Sequence, residues 1–479
     1  MRSGLSSKGF YIAALAIFFG LTLLYFYRPL VRLPSRVLID CNEGWNAFAS
    51  ERLLAGEALY PRYDALISNN YPPLSFYVNA GFAVMVGDHL IAGRIISLLS
   101  LFIVAGMLGM CLRQMGGRRV QAAVMQLFFL ASIAIFAEHY VAMADPQWLG
   151  HAIQATGLYL LLKSGNRGRL FYLSIFLMAA SGFIKHSLIV LPAAVFLWLL
   201  VVDRPALVRF TAVGILLAGL FLAALTLVHG TDFLHGLFSD CRKWSLLATA
   251  RQISIRFNQL MIFVTLGVSG FFLLPRSKTS TLLFFYFALA CIWGAFMFGG
   301  EGIDWNALFD MIISGTLIGG ALLIHVDRME LQNSSQAGAL TICVLSLLAV
   351  SLIVPMPYRV FKLRDYWKHR ALQVETVADD IRYLAGMRGP VMCEDPALCY
   401  WAGKRFEVDM FMTGAKVRAG VIDREKFTDL IESRYFSAIQ ISRPDGESPR
   451  LDEAINRAIR ANYAIGRKDS CAGVFYVPK

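Results

Sequence analysis

Long apolar runs separated by short polar connections dominate the first three quarters of the 479-residue chain. A helix that crosses a bilayer needs roughly 17–25 mostly apolar residues. Segments of that kind fall at 10–27, 90–112, 120–137, 146–162, 170–184, 187–202, 210–228, 259–274, 281–298, 311–325 and 337–354, so about 11 transmembrane helices are expected. The two segments flanking Lys185 and His186 are short, and short helices in lipid are tolerated where they line a protein cavity. The first run reads as a span rather than a cleavable signal, because Tyr25, Tyr27 and Arg28 close it as interface anchors and no small-residue cleavage site follows. Beyond residue 354 the pattern changes. A helical stretch at 366–387 precedes a short apolar run at 391–393. Helical stretches at 424–434 and 451–463 then lead into strand-like runs at 437–441 and 473–477. This alternation predicts a small α/β unit. The expected fold is a mainly α polytopic membrane bundle over residues 1–354, followed by a small soluble α/β domain over 355–479. That domain contains no phosphate-binding glycine loop and reads first as a structural or acceptor-guiding cap.

Composition agrees. The chain is 57% hydrophobic and 16% charged, where a soluble protein carries about 25% charged residues. A soluble enzyme, a disordered chain and a coiled coil are excluded. The net charge of +12 would suggest nucleic acid in a soluble protein, but only 40 of the first 354 residues are charged, against 38 of the last 125. The basic excess therefore belongs at membrane faces, and no nucleic-acid partner is expected. With the N-terminus inside, Arg2, Lys8, Arg113, Arg118, Arg119, Lys163, Arg276, Lys278 and Arg328 all fall on inner segments. The connections at 138–145 and 299–310 hold no Lys or Arg. This is the asymmetry of the positive-inside rule. An odd number of spans then puts the C-terminal domain outside. The long connections, 28–78 and 229–258, are also outer, and long loops on one face usually carry function. Of the eight cysteines, Cys111, Cys291 and Cys343 lie in or beside spans, whereas Cys41, Cys241, Cys393, Cys399 and Cys471 lie outside. A bridge from Cys393 to Cys399, or from either to Cys471, is open, and no metal-type C-x-x-C spacing occurs.

The first outer connection begins Asp40-Cys41-Asn42-Glu43-Gly44. Two carboxylates three residues apart share one face of a helix, and at a bundle rim desolvation and proximity raise the pKa of one of them. A carboxylate so tuned can take a proton from an attacking hydroxyl. The competing reading is a helix start, with Asp40 as N-cap and Glu43 closing a capping box. Cations gather nearby. Lys185 sits between two short spans, where a lone ammonium needs an anion. Arg242, Lys243, Arg251 and Arg256 are interleaved with Phe233, Phe238 and Trp244, as in an amphipathic interfacial segment. Tyr60, Tyr71, His139, Asp145, His186, Asp304 and Asn306 complete the polar residues of the outer rim and are candidates for substrate contacts. Asp145-Pro146 also fits a helix start. Asp40, Glu43, His139 and Asp145 are the oxygen and nitrogen groups a divalent cation would use.

These motifs occur in a particular order. Asp40-x-x-Glu43-Gly44 follows the first span, then Leu53-x-x-Gly56-x-x-Leu59-Tyr60 and Tyr71-Pro72-Pro73-Leu74. Gly93-Arg94-Ile95-Ile96-Ser97-Leu98, Asp145-Pro146 and Gly182-Phe183-Ile184-Lys185-His186-Ser187 come after them. The series resembles the GT-C superfamily of polytopic membrane glycosyltransferases, of the protein O-mannosyltransferase and lipid A aminoarabinose transferase type. The resemblance implies an inverting transferase of the bacterial inner membrane, with its C-terminal domain on the periplasmic or extracellular side. Its donor would be a polyprenyl-phosphate sugar. An acidic residue of the first outer loop, Asp40 or Glu43, would be the base. Lys185 with Arg242, Lys243, Arg251 and Arg256 would hold the donor phosphate. Some relatives use a divalent cation. The competing class is a polytopic transporter or flippase, but such proteins commonly show repeated halves, and none is seen here.

Overall fold

The apolar runs fold as helices, and most of their connections are turns of a few residues. The computed structural model describes residues 7–239, 241–330, 335–468 and 470–479; Arg2 lies outside them. Helix α1 (Ser7–Arg32) is followed by α2 (Cys41–Leu54) and α3 (Leu74–Val86), both in the first long connection. Then come α4 (His89–Gln114), α5 (Arg119–Phe136), α6 (Gln147–Ser164), α7 (Gly168–Gly182), α8 (Val190–Val202) and α9 (Arg204–His229). The short α10 (Asp232–Phe238) precedes α11 (Leu246–Leu273), α12 (Lys278–Met297), α13 (Phe309–Glu330) and α14 (Ser335–Ile353). Every expected span overlaps one of these helices. Among the described residues, eight helical stretches are long and apolar enough to cross a membrane, while α3, α7 and α8 are apolar but shorter.

Two features differ from expectation. The first connection contains α3, an apolar helix of 13 residues. Helix α11 starts at Leu246, well before the expected residue 259, because Ser245 caps it by accepting from the Ala248 N–H. Arg251 and Arg256 therefore sit on a helix and not in a loop.

Helix α13 runs nearly buried through the bundle. Lipid supplies no hydrophobic drive between helices, so close packing over small residues must hold them together. Gly315, Gly319 and Gly320 of α13 lie against Phe263, Met125 and Leu112, which an added Cβ would meet at 2.9, 3.0 and 2.4 Å, so any larger residue would have to displace them.

After α14, helix α15 (Met356–Ala385) leads into the soluble part: β1 (Val391–Cys393), α16 (Pro396–Trp401), α17 (Met410–Arg418), α18 (Arg424–Glu432), β2 (Ala438–Ile441), α19 (Glu453–Asn462), β3 (Tyr463–Arg467) and β4 (Val474–Pro478). The four strands are ordered β1-β2-β4-β3. β1 and β2 run parallel, with Val391 opposite Ala438, and β4 is antiparallel to both β2 and β3. The expected strands are present, and β3 is an addition, formed where the third helix stops at Asn462. A disulfide joins Cys393 to Cys399, tying β1 to α16, and Cys471 is free.

This soluble unit docks on the first connection. Phe48 of α2 stacks on Phe406 at 5.0 Å and meets the edge of Tyr400 at 5.5 Å. The Tyr400 hydroxyl accepts from the His89 N–H at 2.9 Å, and Trp401 Nε1 donates to Asp88 Oδ2 at 3.2 Å. Asp409 N–H and Thr413 Oγ1 both donate to the Leu66 carbonyl, at 2.8 and 2.7 Å. The first connection and the C-terminal unit thus share one face of the bundle.

The backbone of α2 meets α16 at Gly44, where a Cβ would collide with the main chain of Pro396 and Ala397. Gly44→Ala is expected to force the two apart, at an overpacking cost of about 1–3 kcal/mol. Lower thermal stability with faster proteolytic release of residues 386–479 is the expected result; unchanged stability and cleavage would show that the contact yields freely.

Candidate active site

Helix α4 carries Arg94 into the end of the bundle beneath the first connection, where its side chain is fully buried. Its Nε and Nη2 donate to the two carboxylate oxygens of Glu43, at 2.8 and 2.7 Å. Nη2 also donates to the Val37 carbonyl at 2.8 Å, and Nη1 to Ser35 at 2.6 Å. The guanidinium therefore staples the strand between α1 and α2 onto α4. Glu43 is equally buried and accepts a third bond from the Ala144 N–H at 3.0 Å. A two-point pair of this kind satisfies both charges. Glu43 does not line the cavity described next.

Asp40 lies between the two anchored points, Val37 and Glu43. Its Oδ1 caps α2 by accepting from the Asn42 N–H at 2.9 Å, so the helix-start reading holds for Asp40, whereas Glu43 turns to Arg94 instead of closing a capping box. Asp40 nonetheless faces a cavity of about 390 Å³. Burial, the largest influence, pushes its carboxyl above the ordinary range. Glu43 and Asp145 add to the rise, while the Asn42 N–H and His139 oppose it.

Lys185, which lines the same cavity, emerges from the turn between α7 and α8. Its Nζ donates to both oxygens of Asp145, at 2.9 and 3.2 Å, and sits 4.7 Å from the centre of the Tyr71 ring. Asp145 supplies the anion this buried ammonium needs, and its Oδ1 also accepts from the Gln147 N–H. Tyr71 is held in turn by Tyr60, whose hydroxyl donates to the Tyr71 carbonyl at 2.7 Å. Tyr71, His186, Arg242, Asp304 and Asn306 all line the same space. Asp304 receives His139 Nε2 and Arg256 Nη2, each at 2.7 Å. Burial pushes its carboxyl up, but these partners outweigh that and hold it below the usual carboxylate range.

The structure thus brings Asp40, Tyr71, Lys185, His186, Arg242, Asp304 and Asn306 together on one cavity wall or another. Tyr60, His139, Asp145 and Arg256 stand behind that lining and hold residues of it, while Lys243 and Arg251 are exposed. Sequence reasoning missed the wall contributed by the C-terminal unit: Pro396, Asp409, Phe411, Met412, Pro449 and Arg450. Arg450 reaches across to donate to Cys41 Sγ at 3.2 Å, while Glu394 pairs with its Nε at 3.4 Å. Of the four residues expected to ligate a divalent cation, Glu43 is taken by Arg94, Asp145 by Lys185 and His139 by Asp304. Among the described residues no three His, Cys, Asp or Glu side chains gather to hold a metal.

No family model and no curated protein matches the chain. Solved structures do. The apo crystal structure of ArnT from Cupriavidus metallidurans superimposes with a TM-score of 0.62 at 14% identity, covering 98% of both chains. ArnT bound to undecaprenyl phosphate gives 0.59 at 15% identity, covering 99% of this chain and 98% of that one. The chain has the ArnT fold. The oligosaccharyltransferase of Archaeoglobus fulgidus, crystallised with Zn and sulfate, gives 0.50 at 11% identity over 93% of this chain and 71% of its own. The expected mainly α bundle with a small C-terminal α/β unit is thus the observed architecture, and the ArnT-like fold extends through the C-terminal unit as well as the multi-pass membrane bundle.

Losing one partner of a buried ion pair strands the other charge, at a cost of about 3–5 kcal/mol. Glu43→Gln and Arg94→Met are each expected to lower the thermal unfolding temperature of the detergent-solubilised protein sharply. The double variant should lose less than the two single losses added together. Additive small losses would show that the pair is not the anchor of this face.

Proposed function

We propose that the chain is an inverting glycosyltransferase that moves a sugar from a polyprenyl-phosphate donor to an acceptor hydroxyl on the outer face of the membrane. The observation that carries this reading is the lining of one cavity by both the capped carboxylate of Asp40 and the cations Lys185 and Arg242. The ArnT fold, including a relative seen with undecaprenyl phosphate, supports the donor class.

In the proposed reaction the acceptor hydroxyl gives its proton to the Asp40 carboxylate as its oxygen attacks the anomeric carbon. The bond from that carbon to the phosphate oxygen breaks on the opposite side, so the configuration inverts. Charge accumulates on the departing lipid phosphate, where Lys185 and Arg242 offer preorganised cationic donors. Lys185 is shared with Asp145, so its ammonium stays charged and fixed in the absence of substrate. Arg94 and Glu43 do not touch substrate in this scheme; they position Asp40.

The outward placement rests on contacts rather than on the span count. The soluble unit packs on the connection that directly follows α1, so the two share a face, and basic residues on the inner segments put that face outside. The Cys393–Cys399 disulfide suits an oxidising compartment. A reporter active only in the cytoplasm, fused after Lys479, should stay dark; strong signal would overturn the orientation.

Asp40→Asn keeps the N-cap and the size of the side chain but removes the proton acceptor. Turnover from a polyprenyl-phosphate sugar is expected to fall by about 10²–10⁴-fold, with donor binding retained. Because only the ionised carboxylate accepts the proton, and its pKa is raised, wild-type kcat/KM should fall on acidification at a pH above the ordinary carboxylate value of about 3.9. Near-normal turnover in Asp40→Asn would remove Asp40 as the base. Lys185→Ala should weaken donor binding, with partial recovery in Lys185→Arg; unchanged donor affinity in a folded variant would leave Lys185 with the Asp145 pairing alone.

A further inference from the structure

A cationic surface at the same end of the bundle takes no part in the proposed reaction. Helix α15 follows α14 after a turn at 354–355. Over residues 356–374 it carries Arg359, Lys362, Arg364, Lys368 and Arg370 against one acid, Asp365, which pairs with His369 at 3.2 Å. Lys362, Arg364 and Lys368 are exposed, and so are Tyr358, Phe361, Trp367 and Leu372 between them. Cations interleaved with large apolar side chains, directly after a membrane helix, are what an interface-lying helix requires.

A groove of about 450 Å³ separates α15 from the outer end of α1, lined by Arg28, Lys362, Tyr366, His369 and Leu372 among others. Arg28 and Arg359 share a single carboxylate, Glu138, which leaves the cluster with surplus positive charge. A smaller adjoining cleft brings Leu24, Tyr25 and Leu363 beside Arg28, Arg359 and Lys362. Surplus guanidinium and ammonium charge next to apolar side chains suits a phosphate ester carried on acyl chains.

We propose that Arg28 and the first half of α15 form a binding site for the phosphate headgroup of an anionic membrane phospholipid, which holds the C-terminal unit against the membrane surface. The proposal is independent of the glycosyltransferase reading, since none of these side chains lines the Asp40 cavity.

The test uses the full-length protein in detergent micelles, with retained lipid counted by native mass spectrometry after titration with phosphatidylglycerol or phosphatidylcholine. Phosphatidylglycerol should be held at least about tenfold more tightly, since each Lys or Arg at a membrane surface favours anionic lipid about fivefold. Removing three charges in Lys362→Ala/Arg364→Ala/Lys368→Ala should weaken it by about 100-fold, while Lys362→Arg/Lys368→Arg should retain it. Equal retention of both lipids by the unaltered protein would overturn the proposal, whether or not the alanine variant folds. A folded alanine variant that holds phosphatidylglycerol as tightly as wild type would also overturn it. Displacement of the lipid by millimolar inorganic phosphate would identify a free-phosphate site and overturn the lipid assignment.

Discussion

The face of the bundle that carries the cavity depends on one buried ion pair. Arg94 and Glu43 have no solvent around them, so each must be satisfied within the fold, and together they bind three segments at once. Arg94 fixes the carbonyls of Ser35 and Val37, five and three residues before Asp40, while Glu43, three residues after it, is bound both to Arg94 and to the Ala144 amide. Asp40 is therefore clamped on both sides. A group proposed to accept a proton needs a fixed position more than a strong interaction of its own, and this arrangement supplies one without using the Asp40 side chain beyond its N-cap bond.

The same face is completed from a distance in sequence. Gly44 allows α2 to lie against α16, and the soluble unit then closes over the cavity with Phe411 and Arg450. The Phe411 ring packs on Gly302, where a Cβ would stand 2.7 Å from it, and Arg418 pairs with Glu301 at 2.7 Å. Both the first connection and the connection after α12 are thereby held under the C-terminal unit. The cavity is lined by residues from all three, so the soluble part is one of its walls.

Much of this was legible in the sequence, for physical reasons that also explain what was not. Apolar runs long enough to cross a bilayer mark helices strongly, and the alternation after residue 354 marked β1, β2 and β4. Lys185 stood out because a charge between two apolar helices needs a partner, but the sequence did not say whether Asp145 or a ligand would provide it. Arg94 entered only as part of the Gly93–Leu98 motif, and Glu43 was read with Asp40 because three-residue spacing puts both on one face. In the fold Glu43 turns inward and Asp40 caps the helix. Arg450 and Phe411 carried no local signal: nothing in a solvent-exposed α/β unit announces which loop will meet residues four hundred positions earlier. Arg256 was assigned to a loop because its apolar neighbours resembled an interfacial segment, whereas Ser245 starts a helix there and carries Arg256 to Asp304.

The claim that the Asp40 cavity is where a lipid-linked phosphate is held can be examined most directly by determining the structure of this protein with polyprenyl phosphate bound. The account predicts the phosphate within hydrogen-bonding distance of Lys185 and Arg242, with Asp40 across a gap wide enough for a sugar ring. A phosphate bound away from this cavity, on the opposite face of the bundle or only along α15, would contradict it.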